Sequence, residues 1–530
     1  MTAQILSTVA SPATRTVRPV AVIDIGTSSI RMAVAEIDEA GAVKTLEKLQ
    51  QAVSLGKDTF TQGQIRKQTI EECVRVLKSY RRVLAEYQIT RPDQIRVVAT
   101  SAVREASNRL AFIDRIFIAT GLQPEPLDEA EVSRVTYLGI QPFLASEPAL
   151  QVARTLVVEV GGGSTELLLM RNGDVLYSHT YRLGSLRLRE TLEAYQAPTI
   201  KLREIMETQI ERTVKQIHEH ITGDGKIELI ALGGDMRFAA AQLLPDWRPE
   251  SLARVPVVSL EELTNRLLNM SEDRIVRKYH MSFPDADTIG PALLTYVHIA
   301  KAFNLVNVLV TNTNLRDGLL KEMALKSAWS DELNNQISRS ALELGRRFHF
   351  DEAHGRHVAE LARTLFQALK EEHQLDQRQE IILYLAAILH EIGLYVSFQS
   401  HHKHSMYLIR NSELFGLGRK DVLLVALVAR YYRRASPQPD HEGYSTLGRD
   451  ERVAVAKLSA LLRVAVALDE SRSQRITEFR CLREDGRLVI SIPNVEDLSL
   501  EQLALRQNGA LFEEVFGMPL LLRPERGETE

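Results

Sequence analysis

The sequence contains little cysteine and no long apolar run. Its 530 residues include two cysteines, Cys73 and Cys481, which lie far apart and form no CxxC pair, so neither a disulfide framework nor a zinc ribbon is predicted. No stretch approaches the ~18 apolar residues that a membrane-spanning helix needs. Residues 1–17 lack the apolar core of a signal peptide. We therefore expect a cytoplasmic protein without a membrane span.

The sequence also lacks an excess of charge of either sign. It has 65 Lys and Arg residues against 69 Asp and Glu residues, for a formal net charge of -4. Such a weak overall field does not attract a polyanion unless the protein carries a local basic groove. We therefore expect no nucleic-acid partner.

A pattern of strand, tight turn and strand occurs twice in the first 170 residues. Residues 18–37 read RPVAVIDIGTSSIRMAVAEI, and residues 157–170 read VVEVGGGSTELLLM. Apolar residues typical of strands flank each turn. Aligning Asp24 with Glu159 superimposes the two patterns at a spacing of 135 residues. That spacing predicts two related half-domains rather than a short-period solenoid.

The rest of the chain divides into three regions. Predicted strands alternate with predicted helices up to about residue 325, which indicates an α/β fold. Helical periodicity dominates residues 336–475, where nine of the 14 histidines lie. The last segment predicts a β-hairpin across Asp485-Gly486 and then a helix. The predicted domains are a tail (1–17), two half-domains (18–145 and 146–328), an all-helical domain (329–475) and a small α/β appendage (476–530).

The two glycine turns predict an anion site. Each turn leads into a second strand and no GxxxxGK[ST] motif occurs, so a Walker or Rossmann site is excluded. Successive backbone N–H groups without side chains form a concavity that suits phosphate. An acid beside a phosphate makes sense if a divalent cation lies between them, which would make Asp24 and Glu159 metal ligands. The alternative is that each acid is an ordinary hydrogen-bonded carboxylate.

A set of motifs in a fixed order gives the chain a family resemblance. The motifs are AVIDIGTSSIRMAVAE (21–36), ATSAVREASN (99–108), EVSRVTYLGI (131–140), VVEVGGGSTELLL (157–169), LGSLRLRE (183–190), ALGGDMRFAA (231–240), LRDGLL (315–320) and HEIGLYVSFQSHHKHSMYLI (390–409). Together they resemble the exopolyphosphatase and guanosine pentaphosphate phosphohydrolase family of the actin-hexokinase-Hsp70 fold superfamily. The resemblance implies two ribonuclease H-like (actin-like) half-domains and a C-terminal HD-like helical domain.

The resemblance also implies roles for individual residues. Asp24 and Glu159 would hold the metal, and Arg104 would clamp substrate phosphate, as a guanidinium does well. Glu131 resembles the glutamate that prepares the attacking water, with Glu129 as the reserve candidate. The phosphate-binding residues would be Gly26, Thr27, Ser28, Ser29 and Arg31 in the first turn and Gly161, Gly162, Gly163, Ser164 and Thr165 in the second, which Glu166 follows.

Four site segments depart from the family pattern. The segment around Glu131 reads LDEAEVSRVTYLG, where the family has SGxEEAxL, so the second glutamate is replaced by Val132. Ser28 stands where an asparagine is expected, and Glu159 where an aspartate is expected. Asn312-Thr313-Asn314 replaces a Ser-Gly pair before Leu315.

The function that the resemblance implies is release of orthophosphate from inorganic polyphosphate, or hydrolysis of guanosine pentaphosphate to tetraphosphate. Mg²⁺ or Mn²⁺, a monovalent cation and a homodimer would accompany it. One alternative is a catalytically silent polyphosphate or alarmone sensor. Another is an acetate-kinase-like phosphotransferase, in which Gly233-Gly234-Asp235 would form an adenosine loop.

The helical region carries histidines and acids in the order found in HD phosphohydrolases. These residues are His354, His357, His390, Glu391 and Asp469. The resemblance implies an accessory or relic domain, because Glu391 replaces the usual aspartate. The alternative is that His390 and Asp469 make buried hydrogen bonds between helices.

A basic segment, RYYRR, predicts a local polyanion groove in the same region. Arg430, Arg433 and Arg434 would supply its charge, and a purine ring would stack on Tyr431 or Tyr432. The alternative is a solvated helix face.

Overall fold

The structure, a computed structural model, describes residues 17–194, 199–221, 225–325, 331–433, 435–495 and 497–525. The chain divides into two compact units. The first comprises the residues up to 173 together with 179–328, and the second comprises 174–178 together with 329–530. Within the described ranges, no helix combines the length and hydropathy needed to cross a membrane.

A five-stranded mixed sheet begins the first unit. Strand β1 pairs antiparallel with β2 and parallel with β4, and the sheet order is β3-β2-β1-β4-β5. The elements are β1 (Val17–Ile25), β2 (Ser29–Asp38), β3 (Val43–Ala52), α1 (Leu55–Gln62), α2 (Lys67–Glu86), β4 (Ile95–Ala99), α3 (Ser101–Glu105), α4 (Arg109–Thr120), β5 (Glu125–Pro126), α5 (Glu129–Ser146) and α6 (Pro148–Val152).

A second sheet repeats this plan. The elements are β6 (Arg154–Val160), β7 (Thr165–Arg171), β8 (Asp174–Tyr181), α7 (Ser185–Ala194), α8 (Thr199–His220), β9 (Ile227–Leu232), α9 (Gly234–Leu243), β10 (Ala253–Pro256), α10 (Val257–Leu268), α11 (Glu272–Tyr279), α12 (Phe283–Ala302), β11 (Asn307–Val310) and α13 (Leu315–Ala324). The order is β8-β7-β6-β9-β11 with β10 added at the edge. Because β6 is antiparallel to β7 and parallel to β9, the predicted repeat of half-domains is confirmed.

The first sheet is covered on both faces. Alternate residues of β1 point to opposite sides, as the two-residue period of a strand requires, so Ala21, Ile23 and Ile25 join one core cluster while Val20 and Val22 join another. Helices α2 and α4 cover the first face, and α5 and α13 cover the second. Helix α13 follows the second sheet in the chain but packs on the first, and it therefore carries residues of the second half-domain to the end of β1.

Two strands of the first unit lead almost directly into helices. Helix α3 begins two residues after β4 ends, and α9 begins two residues after β9 ends. Gly233 adopts φ +100, which a side chain strongly disfavours. The strand can therefore turn into a helix within a single residue.

The second unit is mainly helical, as predicted. Its elements are α14 (Asp331–Arg347), α15 (Glu352–Ala368), α16 (Lys370–His373), α17 (Gln377–Leu389), α18 (His401–Arg410), α19 (Arg419–Arg430), α20 (Arg449–Leu468), β12 (Arg480–Glu484), β13 (Arg487–Ile492), α21 (Ser499–Asn508), α22 (Ala510–Phe516) and β14 (Leu520–Pro524). The hairpin across Asp485-Gly486 is confirmed. Strand β14, which pairs parallel with β13, was not predicted.

Helix α18 holds an unusual histidine. Burial lowers the pKa of His402 to about 4, and the neighbouring charges of His401, Arg433, Lys403 and Arg430 lower it further. The imidazole is therefore neutral at physiological pH in the folded protein.

This histidine makes stability depend on pH. The folded pKa of about 4 lies below the ordinary value of ~6.5, so between these values the unfolded chain takes up a proton that the folded chain does not. Stability should fall as the pH drops through this window. Urea unfolding at pH 7 and pH 5 should show that His402→Gln loses less unfolding free energy than wild type, by about 1 kcal/mol after allowance for solvent screening. His404→Gln on the same helix is the control, and equal losses in His402→Gln and wild type would contradict the assignment.

Candidate active site

Each half-domain places a glycine turn after its first strand. In the first turn, the Gly26 N–H donates a hydrogen bond to the Ser29 carbonyl at 3.0 Å. In the second, the Gly161 N–H donates to the Ser164 carbonyl at 2.8 Å. The two turns are therefore closed by the same bond at the same position of the repeat.

Close packing explains the glycines of the second turn. A Cβ atom on Gly162 would lie 2.9 Å from Thr27 Oγ1, and one on Gly163 would collide with Ser101 Oγ. One on Gly184 would collide with the Gly162 and Gly163 backbone. The φ angles of Gly161, Gly162 and Gly163 lie outside the left-handed region. The glycines are thus required because two turns meet here, and not because the backbone is strained.

The turns line a cleft of about 370 Å³ in the first unit. The predicted phosphate ligands that line it are Gly26, Thr27, Ser28, Arg31, Gly161, Gly162 and Ser164. Ser29, Gly163 and Thr165 do not line it, because their side chains or backbone face the protein interior. The Thr165 hydroxyl, for example, donates to the Leu183 carbonyl.

Asp24 lies on the floor of this cleft and is 4% exposed. Its Oδ2 atom is 3.3 Å from Arg316 Nη1 and 3.8 Å from Arg31 Nη1. Its Oδ1 atom is buried and has no hydrogen-bond partner among the residues the structure describes. One oxygen is therefore held by arginines and the other is left for a ligand.

The second half-domain pairs two acids where the first pairs an acid with an arginine. Asp24 faces Arg31 across β1 and β2, and Glu159 faces Glu166 across β6 and β7. Burial raises the pKa of Glu159, which the charge of Arg237 opposes. Burial raises the pKa of Glu166 to about 7, and Glu159 adds to this rise. The Ser164 hydroxyl donates to Glu166 Oε1 at 2.6 Å, so Glu166 is fixed in the cleft.

Four arginines line the cleft, two of which sequence reasoning had singled out. Arg104 donates from Nη1 to the Leu127 carbonyl at 2.9 Å, which aims its guanidinium along the cleft wall. Arg31 donates from Nε to Gln50 Oε1 at 3.4 Å. The structure thus brings both predicted arginines to the site.

Arg237 and Arg316 were missed, although a signal for them existed. Both belong to quoted motifs, and both lie in the first turn of a helix that follows a strand, α9 after β9 and α13 after β11. The carboxyl ends of parallel strands are where α/β sheets bind ligands. A consistent use of that rule would have selected these two arginines.

Glu131, the predicted base, is turned away from the cleft. Its Oε2 atom accepts a hydrogen bond from the Asp128 N–H at 2.9 Å, and Asp128 Oδ1 accepts one from the Glu131 N–H at 3.0 Å. This reciprocal pair is a capping box at the start of α5. Val132, the next residue, lines the cleft instead. The reserve candidate Glu129 does not line it and lies 4.0 Å from Arg104 Nη2.

The residues predicted to hold a metal fit a hard divalent cation. Asp24 and Glu159 both line the cleft. Burial is the largest cause that raises the pKa of Glu159, Arg237 opposes it, and the negative charge of Asp24 raises the pKa further. The orphaned Asp24 Oδ1 atom gives such a cation a ligand. Mg²⁺ commonly binds through one or two carboxylates and completes its shell with water and substrate phosphate. The pair therefore offers the number of carboxylates through which Mg²⁺ commonly binds.

The predicted HD-like residues come together in the second unit. Ligand atoms of His354, His390 and Glu391 lie within 4.8 Å of one another. Asp469 Oδ2 is 2.7 Å from His354 Nδ1, so Asp469 orients the imidazole. Both oxygens of Glu391 lie 2.7 Å from Arg472 Nη2, and His357 is not part of the cluster. The cluster thus combines a buried hydrogen bond with ligand atoms that lie close enough together to hold a cation.

The basic segment of the second unit is partly buried. Tyr431 and Tyr432 are 0% and 5% exposed, so no purine can stack on them as the sequence had suggested. Arg430 is half-buried and contacts Met406 Sδ at 3.3 Å, whereas Arg433 is exposed. The positive charges of both arginines help to lower the pKa of His402. Arg434 lies outside the described residues.

Comparisons with known proteins identify the family of this chain. Residues 18–327 match the Ppx/GppA phosphatase family, and residues 338–508 match domain III of Ppx/GppA phosphatases. An exopolyphosphatase from Cytophaga hutchinsonii has a similar fold, with a TM-score of 0.52, 22% identity and coverage of 58% of this chain and 98% of that chain.

Two curated relatives are similar over almost the whole chain. A guanosine-5'-triphosphate,3'-diphosphate pyrophosphatase of Photobacterium profundum is 23% identical over 95% of this chain and 97% of its own. One of Vibrio parahaemolyticus is 25% identical over 89% and 91%. Since the family match covers more than half of its residues, the chain belongs to the Ppx/GppA phosphatase family.

Proposed function

We propose that this phosphatase hydrolyses the terminal phosphoanhydride bond of inorganic polyphosphate, of guanosine pentaphosphate, or of both. The observation that carries the proposal is the convergence of two matched glycine turns, the carboxylates of Asp24, Glu159 and Glu166, and four arginines on one cleft. Phosphoryl transfer depends on positioning and on electrostatic stabilisation of the oxygens around phosphorus. The cleft supplies fixed donors for both purposes.

The terminal phosphate is assigned to the two turns and Arg104. Backbone N–H groups around Thr27, Ser28 and Gly162 form the concavity, and hydroxyl groups add donors at its rim. Arg104 is anchored to the Leu127 carbonyl and can present two parallel N–H groups to phosphate oxygens. These groups hold the phosphorus atom in line for attack by water.

Asp24 and Glu159 are assigned to a Mg²⁺ or Mn²⁺ ion. When bound, the ion would neutralise charge on the phosphoryl oxygens. Arg316 keeps Asp24 oriented through Oδ2, and Arg237 offsets the charge of Glu159. A monovalent cation, a homodimer and a cytoplasmic location complete the proposal and rest on the family resemblance.

We assign water activation to Glu166 in place of Glu131. The Glu131 carboxylate is engaged with the Asp128 N–H, whereas the Glu166 carboxylate lines the cleft and is held by Ser164. A base must lie within reach of the water it orients. Glu166 meets that condition and Glu131 does not.

Phosphate release by purified protein with Mg²⁺ tests both the function and this assignment. Wild type should release orthophosphate from polyphosphate or guanosine pentaphosphate, and Glu166→Gln should lower the rate by about 10²- to 10⁴-fold with little change in substrate affinity. Glu131→Gln should retain the rate, because glutamine also closes a capping box. Loss of activity in Glu131→Gln alone would return the role to Glu131, and no release by folded wild type would refute the function.

A second candidate function is favoured by Val132. This apolar residue lines the cleft at the position where the family pattern has a glutamate. A cleft that binds phosphate but has an apolar wall at this point suits a sensor of polyphosphate or of guanosine pentaphosphate. Under this candidate, the ligand binds tightly and is not turned over.

Val132→Glu distinguishes the two candidates. If the chain is a sensor, wild type should bind tripolyphosphate without releasing phosphate, and Val132→Glu should gain at least about tenfold in release, the lower range for one acid–base group. Val132→Gln is the matched control, since it is polar but cannot act as a base. If wild type, Val132→Gln and Val132→Glu all release phosphate at the same rate, the sensor function is excluded.

The basic segment of the second unit is a further candidate for polyanion binding. We assign Arg430 and Arg433 to polyanion binding, because both place a positive charge near His402. The double variant Arg430→Gln/Arg433→Gln should raise the KM for long polyphosphate about two- to tenfold at low salt and leave that for tripolyphosphate unchanged. Arg449→Gln, an exposed arginine of the same unit, is the control. An equal change for both substrates would contradict the assignment.

A further inference from the structure

Arg237 enters the cleft from α9, the helix that follows β9, and neither glycine turn uses that strand. The residue lies in the first turn of α9. Strand β9 is parallel to β6, and Leu232 pairs with Glu159. Neighbouring strands lie ~4.8 Å apart, so Arg237 begins one strand away from the second glycine turn. Its side chain lines the same cleft.

The guanidinium of Arg237 has donors to spare. Its Nη1 atom donates to the Thr313 carbonyl at 3.3 Å, the one hydrogen bond that the described residues give it. A guanidinium carries five N–H donors in a rigid fork. Glu159 supplies a nearby negative charge, although no ion-pair contact between the two is made. Asp235 also acts on Arg237 electrostatically, and the remaining donors are available to a ligand of the cleft.

The base of Arg237 is rigidly held. The Tyr296 hydroxyl accepts a hydrogen bond from the Val160 N–H at 2.8 Å and donates one to the Leu232 carbonyl at 2.5 Å. Tyr296 is fully buried and therefore ties together the ends of β6 and β9. Because these two strands lead into the second glycine turn and into α9, the distance between the turn and Arg237 is fixed by the fold.

We propose that Arg237 binds the second phosphate of the substrate, next to the terminal phosphate held by the glycine turns and Arg104. This assignment rests on the proposed function and adds a subsite to it. The substrate class is a linear phosphoanhydride with at least two phosphates. A guanidinium suits this role, because it can contact two phosphate oxygens at once.

Arg237 then acts on the leaving group. Water oxygen forms a bond to the terminal phosphorus, and the bond between that phosphorus and the bridging oxygen breaks. The bridging oxygen keeps the electron pair, so negative charge develops on the second phosphate. One water proton passes to Glu166 and the other remains on orthophosphate. A fixed guanidinium beside the second phosphate stabilises this charge as it appears.

The alternative role for Arg237 is structural, as a counter-charge for buried Glu159. The two roles differ in what they predict for ligands of different length. A counter-charge affects folding and affects all anions alike. A second-phosphate ligand distinguishes tripolyphosphate from orthophosphate.

Calorimetric titration of the full chain with tripolyphosphate and with orthophosphate, in metal-free buffer, tests the assignment. Arg237→Gln should weaken tripolyphosphate binding about ten- to hundredfold and change orthophosphate binding less than about twofold. Arg248→Gln, an exposed arginine of the same unit, should bind both as wild type does. Arg237→Lys keeps the charge beside Glu159 and should still weaken tripolyphosphate binding at an unchanged melting temperature.

Several results would overturn the assignment. These are wild-type tripolyphosphate affinity in Arg237→Gln, equal weakening of both ligands, or full affinity in Arg237→Lys. If Arg237→Gln does not fold, as circular dichroism would show, the lysine variant decides.

Phosphate release measured in parallel separates this inference from the function. A wild type that binds tripolyphosphate through Arg237 without releasing phosphate refutes hydrolysis alone, and one that releases phosphate with Arg237 irrelevant to binding refutes the subsite alone.

Discussion

Gly162 packs against Thr27, and Gly163 packs against Ser101, at distances that leave no space for a Cβ atom. The contact between Gly162 and Thr27 joins the two glycine turns, which follow the first strands of the two half-domains. Asp24 and Glu159, each two residues before its turn, are consequently brought to one cleft. A side chain at either glycine would separate the turns, and the acids with them. The phosphate concavity and the candidate metal site therefore depend on the same packing.

The repeat places equivalent positions together, but the residues at those positions have diverged. Asp24 has an arginine across the ladder and Glu159 has a glutamate. The first acid is consequently ion-paired, whereas the second pair contains Glu166, whose pKa is raised to about 7. One half of the site is suited to holding charge and the other to exchanging a proton. This division follows from two substitutions within one folding pattern.

Much of the fold and part of the site were predictable. The duplicated strand, turn and strand, the helical region and the hairpin across Asp485-Gly486 depend on local periodicity and turn chemistry, which a sequence displays directly. Glu131 could not be placed in this way. It and Val132 are neighbours on α5, and which of them faces the cleft depends on the capping box and on the packing of α5 against α13. Val132 also packs in the core cluster on the second face of the first sheet, and no sequence motif indicates that packing.

The sequence by itself determined the two half-domains, the glycine turns and the residue types proposed to bind phosphate and metal, because these arise from residues at short spacing. Tertiary structure decided which side chains complete the site. Arg316 reaches Asp24 across 292 residues because α13 packs on the first sheet rather than on its own. Arg237 acts electrostatically on Glu159 because β9 lies beside β6. Long-range positions of this kind follow from how helices cover sheets, and that arrangement exists only once the chain has folded.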